Sequence, residues 1–287
     1  LAVTMFIAIQ AADLYPGLVE DQTVDLDLLY LERVLGIQVE KVEVIRILEA
    51  LGFSVETMTG EEKLHVTVPP HRLDIAIPAD LVEEIEAHDG RAISIPTDIT
   101  DIGSTEELAT ATVQEFGRID GLINNAAFYL AITQGPFEEL APDEWDLCMA
   151  VNVKGTWLCS RAVSPVMKSQ SHGSIVNIAS MVVNDGTPGF LHYVASKSAI
   201  WGLTRSMARE LGPFGVRVNT LTPDYIPHDK EYDEKQPGVN DAITSRRCLN
   251  RTMEPEDMVG TMLYLVSDLS GFTTGQNIWV NGGSGFH

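Results

Sequence analysis

The chain has 287 residues, 45% of them hydrophobic and 21% charged, enough apolar material for one or two domains with a sizeable core. Nineteen Lys and Arg stand against 41 Asp and Glu, a net charge of −22, and this field repels phosphate backbones and argues against broad nucleic-acid binding. No apolar run reaches the ~20 residues of a membrane helix, and the apolar stretch 1–12 has no basic n-region or cleavage pattern, so a cytoplasmic protein without a membrane partner is expected. Cys148, Cys159 and Cys248 share no C-x-x-C spacing and fit a reducing compartment; no metal-ligand spacing is present.

In chain order, residues 25–34 and 41–51 read as helices, the second with Val42, Ile45 and Leu48 on one stripe and Gly52 at its end. Residues 53–58 and 64–69 alternate as strands, Pro69-Pro70 breaks the chain, and 80–87 resumes a helix. From Arg91 the pattern becomes short apolar strands at 91–96, 121–124, 174–179, 216–221 and 277–280, separated by amphipathic helices. Such alternation specifies a parallel sheet covered by helices on both faces. The expected fold class is therefore α/β, a doubly wound parallel sheet preceded by an N-terminal α+β module. Residues 1–89 hold 18 acidic and 5 basic side chains, a denser negative charge than the remainder.

Two resemblances attach to these parts. LYPG at 14–17, LERVLGIQV at 31–39, IRILEALGFSVE at 45–56 and VTVPPHRLDIAIPADLVEEI at 66–85 resemble the non-catalytic helix-and-strand domain of the phenylalanyl-tRNA synthetase β chain. In that family the module is structural or assists RNA contact. DITD at 98–101, NNAA at 124–127, VNVKG at 151–155, Ser180, YVASK at 193–197, RVNTLTPD at 217–224 and TGQNIWVNGG at 274–283 stand in the order of the short-chain dehydrogenase/reductase family. The expected division is residues 1–79 as the synthetase-like module and 80–287 as the dehydrogenase-like domain, a chimera whose seam lies at about 80–90.

The resemblance implies a nicotinamide cofactor, NAD or NADP, and hydride transfer with an alcohol or ketone. By it, Asn152, Ser180, Tyr193 and Lys197 are the catalytic residues, and Asp98, Ile99, Asn124, Ala126, Tyr193, Lys197, Pro223 and Ile226 line the cofactor. The chemistry suits these residue types. Tyr193 and Lys197, four apart on a helix, share a face, so an ammonium stabilises phenolate and makes Tyr193 a general acid/base. Ser180, at the carboxyl end of the apolar strand, is placed to hold a substrate carbonyl. By resemblance Asn152 anchors a water chain from Lys197. Taken singly, Ser180 also reads as a helix cap, Tyr193 as packed core, Lys197 as a solvated residue and Asn152 as a turn residue. Phe128, Tyr129, Val182, Val183 and Phe190 read as apolar pocket walls, and 225–252 as a mobile lid.

Three departures from the family stand out. No T-G-x-x-x-G-x-G turn occurs in these residues, so the usual backbone cradle for the pyrophosphate is absent. The family's P-G after the sixth strand is Pro223-Asp224, and His228 stands where a threonine usually bonds the carboxamide or diphosphate. Without its first two strands a 3-2-1-4-5 sheet has a gap, which something from 1–79 must fill, or the sheet edges stay exposed. The leading expectation is an NAD(P)-dependent oxidoreductase, assembled as a dimer or tetramer through helices at 143–168 and 192–211. The alternatives are a catalytically inactive scaffold, and an RNA-assisting role for the first third.

Overall fold

In a computed structural model the described residues are 6–9, 22–28, 41–50, 53–57, 63–68, 95–129, 131–227 and 238–286. The chain separates into two compact units, residues 12–96 and residues 1–11 with 97–287.

Within residues 12–96, strands β2 (Gln22–Asp27), β3 (Ser54–Thr57) and β4 (Lys63–Val68) form an antiparallel sheet in the order β2-β4-β3, and helix α1 (Lys41–Ala50) packs beside β3. Residues 25–27 are thus strand, where the periodicity predicted a helix over 25–34; Leu28 is helical and 29–34 lie outside the described residues. The reason is visible in the text itself: T-V-D-L-D alternates with period two, with Thr23 exposed and Leu26 buried. Val44, Leu48, Phe53, Leu64 and Val66 complete this small core. The α1 helix and the two later strands fall where they were expected, while the helix at 80–87 lies outside the described residues.

The larger unit is a five-stranded parallel sheet in the order β1-β5-β6-β7-β8, with β1 (Phe6–Ile9), β5 (Gly121–Asn124), β6 (Gly173–Ile178), β7 (Val216–Pro223) and β8 (Asn277–Val280). The gap expected beside β5 is filled by β1, whose Phe6, Ile7, Ala8 and Ile9 pair in parallel register with Gly121 to Asn124. The strand expected at 91–96 is not seen at residues 95 and 96, which carry no regular structure; 91–94 lie outside the described residues. Strand β6 is buried along its whole length, as a central strand covered on both faces must be.

Helices cover this sheet. They are α2 (Ile102–Phe116), α3 (Pro142–Met149), α4 (Thr156–Gln170), the short α5 (Val182–Asp185), α6 (Leu191–Leu211), α7 (Val239–Arg246) and α8 (Glu256–Val266). Between α3 and α4 the backbone widens into a π-helical segment, Ala150–Gly155, a distortion that in helices recurs at functional positions. It is held from outside: a Cβ on Gly155 would come within 2.6 Å of Ile99 Cδ1, so the buried Ile99 side chain fills the space a larger residue would need.

Gly215 turns the chain from α6 into β7 at φ +72°, and a Cβ there would stand 2.5 Å from the Ser171 carbonyl oxygen. Gly215→Ala is accordingly expected to lower stability by about 2 kcal/mol or more, read by urea unfolding. A loss below about 0.5 kcal/mol would show that the turn is not so constrained.

Candidate active site

The carboxyl ends of β5, β6 and β7 converge, as they do at ligand sites of doubly wound sheets. Two backbone bonds carry the ladder past β6: Ala179 N–H donates to Leu221 O at 2.9 Å and Met181 N–H to Pro223 O at 3.0 Å. Ser180 sits between them, so its position is fixed by the sheet itself. Its Oγ accepts from Val182 N–H at 3.4 Å, the opening of α5. The cap position of α5 is Met181, without a side-chain cap bond, so Ser180 touches the helix start from one residue outside it.

Helix α6 presents both Tyr193 and Lys197, and both are buried. Lys197 Nζ donates to Ile178 O at 2.9 Å, its one hydrogen-bond acceptor among the described residues, and lies 5.7 Å from the Tyr193 ring centroid. Burial pulls the ammonium down to about 8, with Cys148 acting in the opposite direction. The Tyr193 ring packs at 5.1 Å, tilted 45°, against Tyr129 and at 6.4 Å against Phe190. Two of the expected apolar walls thus border the phenol directly.

Asn152 lies in the π-helical segment and is almost wholly buried. Its Oδ1 accepts from Phe128 N–H at 2.6 Å, and its Nδ2 donates to Phe128 O at 3.3 Å and Ser196 Oγ at 2.9 Å. Ser196 in turn donates to the Tyr193 carbonyl at 2.8 Å. The amide therefore clamps the loop after β5, which carries Tyr129, onto the helix that carries Tyr193. Asn152 and Tyr193 are linked through Ser196, Lys197 is the next residue on α6, and Ser180 follows two residues after the carbonyl that holds Lys197.

The residues expected around a cofactor divide by what their side chains already do. Asn124, ending β5, spends Nδ2 on Ser160 Oγ at 3.1 Å and Asn177 Oδ1 at 2.8 Å. Ala126 is buried just beyond it. Asp98 Oδ1 accepts from Thr100 N–H at 2.8 Å and from its hydroxyl at 2.7 Å, and Ile99 packs on Gly155. Pro223 ends β7 and Ile226 follows in the described loop, whereas His228 lies outside the described residues. Of the segment expected as a lid, 238–252 contain α7, and 228–237 lie outside the described residues.

Sequence reasoning did not single out Cys148, whose Sγ is 3.4 Å from Asn152 Nδ2 and 3.6 Å from Ser196 Oγ, its thiol pushed up by burial. Its spacing of four before Asn152 on a helix was the available signal. It also passed over His192, buried beside Tyr193 with Nε2 3.1 Å from Glu144 Oε1 but without hydrogen-bond geometry.

Comparison with known proteins shows the family. Residues 71–285 match the family described as Enoyl-(Acyl carrier protein) reductase, and residues 24–88 match the tRNA synthetase B5 domain. The chain belongs to the short-chain dehydrogenase/reductase family. The hydroxy(phenyl)methylsuccinyl-CoA dehydrogenase subunit BbsD of Thauera aromatica is 38% identical over 202 residues, 70% of this chain and 79% of that protein. The 3-oxoacyl-(acyl-carrier-protein) reductase FabG of Thermotoga maritima is 36% identical over 71% of this chain and 81% of its own. A short-chain dehydrogenase/reductase structure from Mycobacterium ulcerans superposes with a TM-score of 0.66 at 31% identity, covering 72% of this chain and 76% of that one. The structure of ElxO with NADP bound superposes at 0.64 with 27% identity, covering 70% and 84%. Membership makes the chain a relative of NAD(P)-dependent oxidoreductases of hydroxyl and keto groups. Among the described residues no helix is long and apolar enough to cross a membrane.

The buried lysine generates a stability prediction. Its folded-state value, about 8, lies below the ordinary 10.5, so between those values the unfolded chain binds more protons and stability gains with rising pH. Below about 8 both states are protonated and the cost is constant. The stability difference between the wild type and Lys197→Met should therefore move in the wild type's favour from pH 8 to 10 and stay flat from pH 6 to 7.5. Parallel profiles over the whole range would mean that the ammonium is not buried.

Proposed function

We propose that the chain interconverts a ketone and a secondary alcohol with NAD or NADP, and that its substrates are 3-oxoacyl or 3-hydroxyacyl thioesters. The observation that carries this reading is the buried Lys197 ammonium 5.7 Å from the Tyr193 ring, at the sheet edge where Ser180 is fixed. The substrate class is supported by the names of two relatives, an aryl-substituted hydroxyacyl-CoA dehydrogenase and a 3-oxoacyl reductase. The aromatic borders formed by Tyr129 and Phe190 suit a flat or apolar acyl portion.

The nicotinamide and its ribose fit the residues present: Lys197 has ammonium N–H bonds beyond the one to Ile178 O for vicinal hydroxyls, and the ends of β5 and β7 offer backbone. The diphosphate fits less well. The sequence after β1 runs Q-A-A-D-L-Y-P-G, with one glycine where the family has three. When bound, the cofactor supplies the hydride. In the proposed reduction Ser180 Oγ holds the substrate carbonyl, and the Tyr193 hydroxyl gives a proton to the developing alkoxide. Lys197 favours the resulting phenolate by its charge. Asn152 and Ser196 hold Tyr193 and the Tyr129 loop in register, and reprotonation from solvent passes by way of Lys197.

A second reading, an inactive scaffold, is favoured by the missing glycines alone. Assembly into dimers or tetramers forms part of the proposal, since Trp157 on α4 and Val259, Leu263 and Phe272 at or beside α8 are exposed apolar side chains.

The direct test is turnover of a 3-oxoacyl thioester with NADH or NADPH. Tyr193→Phe should lower kcat by about a hundred- to ten-thousand-fold, with the melting temperature retained, because only the titratable oxygen is lost. Unchanged turnover in that variant would refute the role of Tyr193.

A further inference from the structure

Glu144 stands on α3 and Asn152 in the π-helical segment that continues it, with Cys148 midway, a spacing of four that turns all three toward α6. On α6, His192 and Ser196 are again four apart. The contacts between the two sets form a ladder. Asn152 Nδ2 donates to Ser196 Oγ at 2.9 Å, Cys148 Sγ lies 3.6 Å from the same oxygen, and Glu144 Oε1 lies 3.1 Å from His192 Nε2. The imidazole is buried and the carboxylate largely so. Facing a carboxylate oxygen at that distance, Nε2 must carry a hydrogen, because two lone pairs would repel.

The two ends of the ladder also share a second task, since each accepts a backbone N–H from the chain that follows β5. Asn152 Oδ1 takes Phe128 N–H at 2.6 Å, and Glu144 Oε1 takes Thr133 N–H at 2.7 Å. Between these points Ile132 N–H donates to Tyr129 O at 3.1 Å, closing the turn that carries Tyr129, whose ring packs 5.1 Å from Tyr193. Just past Thr133, Gly135 N–H donates to Gly189 O at 3.4 Å, and a Cβ on Gly189 would stand 3.5 Å from Gly135 N, so this chain lies directly against the one that leads into α6. One carboxylate oxygen is thus shared by the Tyr129 turn and by the residue that precedes Tyr193.

We propose that Glu144 and His192 are positioning residues that hold the far end of the Tyr129 turn against the first turn of α6, as Asn152 holds its near end, and so set the place of Tyr129 beside Tyr193 and the fit of the substrate's acyl portion. This rests on the oxidoreductase reading of the site. Removing His192 strands a largely buried carboxylate, which turns to water and releases Thr133. Tyr193 and Lys197 are held by bonds of their own, from Ser196 and to Ile178, so loosening the turn weakens substrate binding and leaves the chemical step largely alone.

The test uses the full chain with a 3-oxoacyl thioester as the probe. Glu144→Met and His192→Leu should each raise KM about fivefold or more with kcat within about threefold, whereas His192→Gln, which keeps an N–H near the place of Nε2, should hold KM within about twofold. Because the effect passes through the tyrosine, Glu144→Met or His192→Leu made in a Tyr129→Ala background should change KM by less than about twofold further. Hydrogen exchange of the Thr133 amide, followed by NMR, is a second readout that needs no turnover. It should be about tenfold faster in Glu144→Met and His192→Leu and near the wild-type rate in His192→Gln. Should Glu144→Met fail to fold, His192→Leu reads both quantities. A rise in KM that is the same with and without Tyr129, a KM that does not move, or Thr133 exchange unchanged in the variants would overturn the proposal. A wild type without turnover would instead refute the oxidoreductase reading; faster exchange at Thr133 would then still establish the clamp, and unchanged exchange would overturn it.

Discussion

An ammonium buried in a protein interior must be given a fixed acceptor, and the bond from Lys197 Nζ to the Ile178 carbonyl meets that demand. It pins the first turns of α6 to the carboxyl end of β6, two residues before Ser180, and thereby sets the height at which Tyr193 stands over the sheet. The remaining contacts follow from that placement. Ser196, the residue before Lys197 on the same helix, receives Asn152; Asn152 holds the Phe128 backbone; and the loop so held lays Tyr129 against Tyr193. The site is a chain of buried hydrogen bonds and one ring contact, and its cost is a cation held below its ordinary protonation range. Functional sites commonly carry such a cost.

The sheet shows a different economy. A parallel sheet cannot leave β5 with an open row of backbone groups beside a buried core, and four residues, Phe6 to Ile9, meet the requirement by pairing with Gly121 to Asn124. What a strand supplies is backbone, and nearly any apolar tetrapeptide can supply it. What the turn after a first strand supplies to a dinucleotide is glycine-specific geometry, which no generic segment replaces. The fold is thus restored by β1 although the sequence beyond it has lost the family's glycines.

How much was legible in the sequence follows the same division. Strands β5 to β8 could be read to within a residue or two because each is a short apolar run bounded by turn residues, and Tyr193, Lys197, Ser180 and Asn152 because motif spacing survives in the text. β1 was not read as a strand: F-I-A-I lies within a longer apolar stretch whose periodicity does not distinguish strand from helix. Residues 25–34 read as helix because the run of leucines matches the helical period as well, and for 25–27 the period of two and the pairing with β4 select the strand. Arg247 and Asp224, whose side chains bond at 3.0 Å, could not be matched from the sequence, since a partnership across 23 residues of chain has no period.

The central proposal is that this chain keeps the catalytic half of a dehydrogenase site and lacks the phosphate-holding half. Two charge-assisted bonds of roughly 1.5–3 kcal/mol each, left unmade, would weaken dinucleotide binding by on the order of a hundredfold or more. A fluorescence titration with NADH and NADPH measures this most directly. The account predicts saturable but weak binding, with a Kd of about a hundred micromolar or higher for the better cofactor. A Kd in the low micromolar range or tighter would contradict it, and would mean that the chain rebuilds a phosphate site without the family's glycines.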